Sequence, residues 1–167
     1  MARYNVATTS ITPTGTLDTA NLVDSTYLAV LQGGTGTQQL KVNEVYMGGE
    51  AASSSSPSVM VFSRDSTVGT GTTSGVYTTL LDATATAPGT TARLTNTNGT
   101  TKPQRSSTGH LLHLSFNAYG GIVRWVARPG EELTIVGNTA SLGECSLSAY
   151  SGGTPGQMSS HVIFELT

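Results

Sequence analysis

The chain has 167 residues, a formal net charge of −2 and only 11% charged residues. Its polarity comes mainly from 28 threonines and 19 serines. Its eight basic residues are scattered, whereas phosphate backbones and anionic membranes are bound by clustered lysine and arginine. We therefore expect neither a nucleic acid nor a membrane as partner. The single cysteine, Cys145, excludes an intrachain disulfide and a multi-cysteine zinc site.

The N-terminal segment, residues 1–24, differs in pattern from the rest of the chain. Its apolar residues are isolated and follow neither a helical nor a strand period, and no apolar stretch has signal-peptide length. We interpret it as an extended arm, followed by one β-sandwich domain over residues 25–167, and expect synthesis in the cytoplasm. The apolar side chains that could anchor this arm to a partner are Tyr4, Val6, Ile11 and Leu17.

Short β-rich runs bounded by turn residues recur from residue 27 onwards. A loop is expected between residues 97 and 109, and the turn at Arg128-Pro129-Gly130 predicts a hairpin between the strands on either side. The predicted strands in chain order are Tyr27–Leu31, Leu40–Met47, Val59–Phe62, Val76–Leu81, Thr90–Thr95, His110–Ala118, Ile122–Ala127, Glu132–Val136, Glu144–Ala149 and Val162–Leu166.

Alternation of apolar and polar residues is clearest in the C-terminal half, where it indicates strands with one buried face. We count eight to ten strands and no helical period, which predicts an all-β, antiparallel β-sandwich. Greek-key connections would make it a jelly roll, and an up-and-down barrel is the alternative. The large residues expected to be buried are Leu112, Leu114, Phe116, Val123, Trp125, Val162 and Phe164.

The three histidines are the first candidates for metal ligands. His110 and His113 are an odd number of residues apart, so a regular strand would turn them to opposite faces, and His161 falls on another strand. We therefore expect no metal site. Cys145 shares its predicted face with Leu147 and is expected to be a buried small apolar residue rather than a nucleophile.

Catalytic motifs are also missing from the sequence. There is no G-x-S-x-G elbow, and the glycine-rich segment 33–36 has neither the lysine nor the following helix of a phosphate-binding loop. The adjacent carboxylates Glu131 and Glu132 would point apart in an extended chain. We expect no catalytic residue and no cofactor, and hence that the protein is not an enzyme.

Three segments resemble a group of small virion proteins encoded by tailed phages. They are LKVNEVYMGGEAASSSSPSVMVFSRDS, HLLHLSFNAYGGIVRWVARPGEELTIVG and SSHVIFELT, with FNAYGG, RW and PGEE as the most distinctive pieces. The resemblance runs from Leu40 to the C-terminus and does not include residues 1–39. It implies a jelly-roll-like capsid decoration (cement) protein on the outer capsid surface of the virion, where the phage major capsid protein is the partner.

Two further expectations belong to this interpretation. Small sandwiches hide open sheet edges by self-association, so a homodimer or homotrimer is expected. The alternative function is a receptor- or glycan-binding jelly-roll module of a viral fibre or spike, since one fold hosts many functions. A glycan-binding module would need aromatic side chains on exposed loops, and most aromatic residues here fall within predicted strands.

Overall fold

The structure is a computed structural model that describes residues 3–11, 27–32, 37, 39–49, 58–67, 76–85, 91–93, 104–117, 119–137, 143–151 and 158–167. Within these ranges the chain forms eleven β-strands and no helix. The strands are β1 (Arg3–Ile11), β2 (Tyr27–Gln32), β3 (Gln39–Gly49), β4 (Ser58–Thr67), β5 (Val76–Leu80), β6 (Thr91–Arg93), β7 (Gln104–Phe116), β8 (Ile122–Val126), β9 (Leu133–Val136), β10 (Glu144–Ser151) and β11 (Met158–Leu166).

The strands are arranged in two antiparallel sheets. The first sheet has six strands in the order β5-β1-β11-β3-β8, with β9 also paired to β3, and the second has five in the order β6-β2-β10-β4-β7. Every described pairing is antiparallel. The prediction of an all-β antiparallel sandwich is confirmed for this part of the chain.

Neighbours in each sheet are far apart in the sequence. Among the strands that the structure describes, no pairing joins two that follow each other directly along the chain. An up-and-down barrel consists of such consecutive pairs, so the alternative predicted from the sequence is wrong. The chain instead passes from one sheet to the other after each of its first five strands.

The core lies between the two sheets and receives side chains from both. The described part of the core cluster comprises Leu40, Val42, Val45, Met47, Phe62, Leu114, Ile135, Cys145, Leu147, Val162 and Phe164. Burial of this apolar surface is the main force holding the sheets together. Arg64 of β4 also reaches across to the first sheet, where its Nη2 donates to the backbone oxygen of Thr134 at 2.8 Å.

Several residues predicted to be buried belong to this core. Leu114, Val162 and Phe164 are buried, and so is Cys145, as its position in the alternation predicted. The other predicted core residues are Leu112, Val123 and Trp125, which are half-buried and pack against the core, and Phe116, whose side chain lies outside the described part.

The predicted hairpin around Arg128-Pro129-Gly130 is wrong. β8 and β9 do not pair with each other but lie one after the other along the same neighbour, β3. The turn itself is real: the Glu131 amide donates to the carbonyl of Arg128 at 2.9 Å, and Gly130 has a φ of 84°. Proline at the second and glycine at the third position are the residues that a type II turn requires. The chain therefore leaves the sheet, turns and returns to the same edge.

The predicted N-terminal arm is wrong over residues 3–11. This segment is β1, which pairs with β11 on one side and β5 on the other. The sequence pattern is too irregular to reveal the strand, but two neighbours satisfy its backbone hydrogen bonds. Residues 12–24 lie outside the described part. The loop predicted over residues 97–109 is also wrong from residue 104, where β7 begins.

Candidate docking surface and histidine pair

The outer face of the first sheet carries a network of charged and aromatic side chains on β3 and β8. Tyr46 pairs with Arg124 in the register, and the Arg124 Nη2 lies 2.7 Å from the Glu44 Oε2. The Tyr46 hydroxyl donates to the same carboxylate oxygen. The Arg124 guanidinium also lies over the Tyr46 ring, 4.9 Å from its centroid, which adds a cation–π contact.

These contacts change the acidity of the groups that make them. The hydrogen bond from Tyr46, followed by that from Arg124, lowers the pKa of Glu44. The same bond raises the pKa of Tyr46, because losing its proton would remove the donor. Glu44 also raises the pKa of Arg124. At neutral pH the carboxylate and the guanidinium are therefore both charged, which fixes the Arg124 side chain on the outer face of an edge strand.

Exposed apolar side chains also occur along the β8–β9 edge of the first sheet, and Ile122 and Val126 flank Arg124 on β8. Ile122 is 78% exposed, and Tyr119, in the turn before β8, is 61% exposed. Most of the surface of both side chains is therefore in contact with solvent. Four exposed large apolar residues lie at this edge, and we call them the edge stripe: Tyr119, Ile122, Val126 and Val136. Among the described residues, Leu81 at 51% is the remaining exposed large apolar side chain.

The turn between β7 and β8 positions Tyr119, the first residue of the edge stripe. The Gly120 amide donates to the carbonyl of Asn117 at 2.8 Å, and the Tyr119 amide donates to the Asn117 side-chain oxygen at 3.0 Å. Gly121 follows with a φ of 121°, a conformation that side chains rarely allow. The segment FNAYGG, one of the distinctive pieces of the sequence, therefore forms the turn that presents Tyr119 to solvent.

The outer face of the second sheet is different, because its polar side chains are buried at β4 and β10. Ser63, Asp65, Glu144 and Ser146 are all fully buried. The Ser146 hydroxyl donates to Asp65 Oδ1 at 2.7 Å. By alternation they lie on the side of these strands opposite to core residues such as Leu147. Alternation correctly separated the faces of β10, but both faces are closed to solvent.

Two histidines also meet on this sheet, contrary to the expectation of opposite faces. The His110 Nδ1 and the His113 Nε2 are 3.1 Å apart, and the ring centroids are 5.2 Å apart. The cause is a β-bulge: Leu112 pairs with Phe62 and His110 with Ser63, so Leu111 is an extra residue without its own partner position on β4. Because of this one extra residue, two histidines at an odd spacing lie on the same face of β7.

The third histidine is in the first sheet, where its ring lies 5.7 Å from that of Tyr46 between centroids. His161 therefore does not join the pair on β7. Among the described residues there is no group of three or more His, Cys, Asp or Glu side chains that could hold a metal ion. The prediction of no metal site rested on opposite faces, and that argument is wrong for His110 and His113.

Three of the four residues predicted to anchor the arm lie in β1. Tyr4, Val6 and Ile11 are in β1, where Tyr4 pairs with Phe164 and Val6 with Val162. Their backbone is used within the domain, so this segment does not provide an unpaired strand for a partner. Leu17 lies outside the described residues. The edge stripe was not identified from the sequence, although Ile122 and Val126 could have been found as apolar residues on the same side of β8 as Arg124.

No protein-family model, no curated protein and no solved structure matches this chain. The described residues also include no helix that is long and apolar enough to cross a membrane.

Proposed function

We propose that this protein is a structural virion protein, a decoration or cement protein that binds the outside of a tailed-phage capsid and stabilises it. The observation that carries the proposal is the edge stripe, in which the exposed Ile122 and Val126 flank Arg124, which is paired with Glu44, on the edge strand β8. Apolar anchors and arginine within a polar rim are the usual composition of a protein-binding surface. The partner of this surface is the major capsid protein.

The strand order supports a jelly roll as the finer description of the fold. The first and last strands pair in one sheet, and the second strand and the one before the last pair in the other. Such nested pairing results when Greek keys wrap around a sandwich. Jelly rolls recur in viral capsid and lectin domains, so the fold agrees with the proposed function without selecting it.

Attachment through the edge stripe replaces attachment through an N-terminal arm. β1 has neighbours on both sides, whereas β8 ends the first sheet among the described strands. Edge strands in free proteins are normally kept short or interrupted, and the excursion between β8 and β9 does this here. The proposed contact is therefore made by side chains on the outer face rather than by strand addition. Self-association into a homodimer or homotrimer remains part of the proposal.

The test is binding to empty expanded heads of the encoding phage, measured by co-sedimentation. The double variant Ile122→Thr with Val126→Thr keeps residues that favour strands but removes apolar contact area. We expect it to lower the affinity for heads by at least about tenfold, which corresponds to about 1.4 kcal/mol. The matched control is Leu81→Thr, which removes an exposed apolar residue outside the stripe and should leave binding unchanged.

Two failures of this test have different meanings. Unchanged binding of the double variant would show that the edge stripe is not the docking surface. Failure of the unaltered protein to bind heads would contradict the capsid role itself. Glycan binding abolished by Tyr119→Ala would support the alternative of a receptor-binding module, because an exposed aromatic ring is the group that stacks on sugars.

A further inference from the structure

The histidine pair on β7 has a geometry that suits a metal ion. Protein nitrogen ligands lie about 2.0–2.1 Å from zinc, so two of them on one ion are separated by roughly 2.8 Å at a right angle and 3.4 Å at a tetrahedral angle. The observed separation of 3.1 Å between His110 Nδ1 and His113 Nε2 lies within this interval. We infer that these two nitrogens form a binding site for one transition-metal ion of the type that prefers imidazole, such as Zn²⁺, Ni²⁺ or Cu²⁺.

The fold arranges this site before any ion arrives. The bulge at Leu111 turns both histidines to one side, while Leu111 and Leu112 pack against the core. Little side-chain freedom is then lost on binding, because the two rings already touch. His113 is exposed and His110 half-buried, so an ion can reach the pair from solvent and keep water in its remaining positions.

In the protein without an ion, the same contact is a hydrogen bond in which one ring donates its N–H to the other. Binding replaces that shared proton by the ion: the proton moves through water to the other nitrogen of the donating ring, which stays neutral, because a ligating imidazole nitrogen must be deprotonated. Ser63, which pairs with His110 in the register, adds a second observation: its buried hydroxyl has no hydrogen-bond partner. A polar group in the strand beside the pair is therefore unsatisfied in the protein without an ion.

The preferred class of ion is set by the donors. Imidazole binds borderline ions, whereas Ca²⁺ and Mg²⁺ take oxygen ligands. The affinity should be that of a two-ligand site, micromolar rather than the far tighter binding of closed four-ligand zinc sites. Metal binding at the histidine pair is independent of the proposed capsid role.

The test is titration of the full-length protein with Ni²⁺ and Zn²⁺ by calorimetry at pH of about 7.5, after treatment with a chelator. We expect saturable micromolar binding and no binding of Mg²⁺. His113→Gln, at an exposed position, and His110→Gln should each weaken binding by more than about tenfold, because one ligand of two is lost. His161→Gln is the matched control and should bind as the unaltered protein does.

Folding is checked by circular dichroism for each variant, and the melting temperature gives a second readout. An ion that binds only the folded pair raises it by mass action, and this rise should vanish in His113→Gln. The inference is overturned if the unaltered protein shows no saturable binding, or if His113→Gln retains its affinity. The second result would identify adventitious binding to single surface histidines.

Discussion

The outer faces of the two sheets differ in their access to solvent. On the first sheet, Glu44, Tyr46 and Arg124 form an ion-pair network that water can reach. On the second, Asp65 and Ser146 form a hydrogen bond from which water is excluded. Both sets alternate with core residues, so both would be interpreted from the sequence as solvated faces. Alternation of apolar and polar residues determines on which side of a strand a residue lies. It does not determine whether that side is exposed to solvent.

The largest effect expected from this difference is that of Ser146→Ala. It removes the hydrogen bond to Asp65 with little change in volume, and a buried acceptor that loses its donor costs about 1–3 kcal/mol. The free energy of unfolding in urea should fall by this amount. Ser115→Ala, at an exposed strand position, is the control and should change it by less than about 0.5 kcal/mol. Equal effects at the two serines would contradict the burial of the hydrogen bond between Ser146 and Asp65.

A smaller effect, with a distinct pH dependence, is expected for Glu44→Gln. The pKa of Glu44 is lowered in the folded protein, so the unfolded chain binds more protons in the interval between the two pKa values. The carboxylate therefore stabilises the fold above its ordinary pKa, and this contribution is lost as the pH falls through the lowered value.

The check is urea unfolding of both proteins across the acid range. Glu44→Gln should be less stable than the unaltered protein near neutral pH, and the two should converge in acid, where Glu44 is protonated and resembles glutamine. A difference that persists unchanged in acid would mean that Glu44 acts through packing and not through its charge.

The smallest effect is the response to salt. At an ionic strength of about 0.15 M charges are screened over roughly 8 Å, and exposed pairs are screened far more than buried ones. Raising the salt concentration should reduce the destabilisation caused by Glu44→Gln and leave that of Ser146→Ala unchanged. Unfolding at low and high salt measures both. Screening of the Ser146→Ala effect would indicate that water and ions reach the buried face.

Much of the strand content could be predicted from local sequence. β3, β5 and β8 coincide closely with predicted runs, and β11 contains one, because each is rich in residues that favour strands and lies between turn signals. The inward position of Trp125 relative to Arg124 also agrees with the alternation. β1 was missed for the opposite reason: its pattern is irregular, and its pairing with β11 joins the two ends of the chain.

The histidine pair was less predictable because it depends on one residue out of register. The odd spacing of His110 and His113 argued against a shared face, and only the extra Leu111 reverses that argument. A comparable insertion occurs in β3, where Val42 pairs with Phe164 and Glu44 with Ile163, so Asn43 has no partner position. Bulges of this kind are set by how two strands fit together and leave little trace in either strand alone.

By itself, the sequence determined the all-β class, most of the strands and the burial of Cys145, because these depend on the two-residue period of a strand. The tertiary structure alone decided which strands pair, that β8 and β9 share one neighbour, that the outer face of the second sheet is closed at β4 and β10, and that two histidines meet. Each of these depends on contacts between residues distant in sequence. Pairing of that kind is selected by the combined burial of both sheets, which no local pattern records.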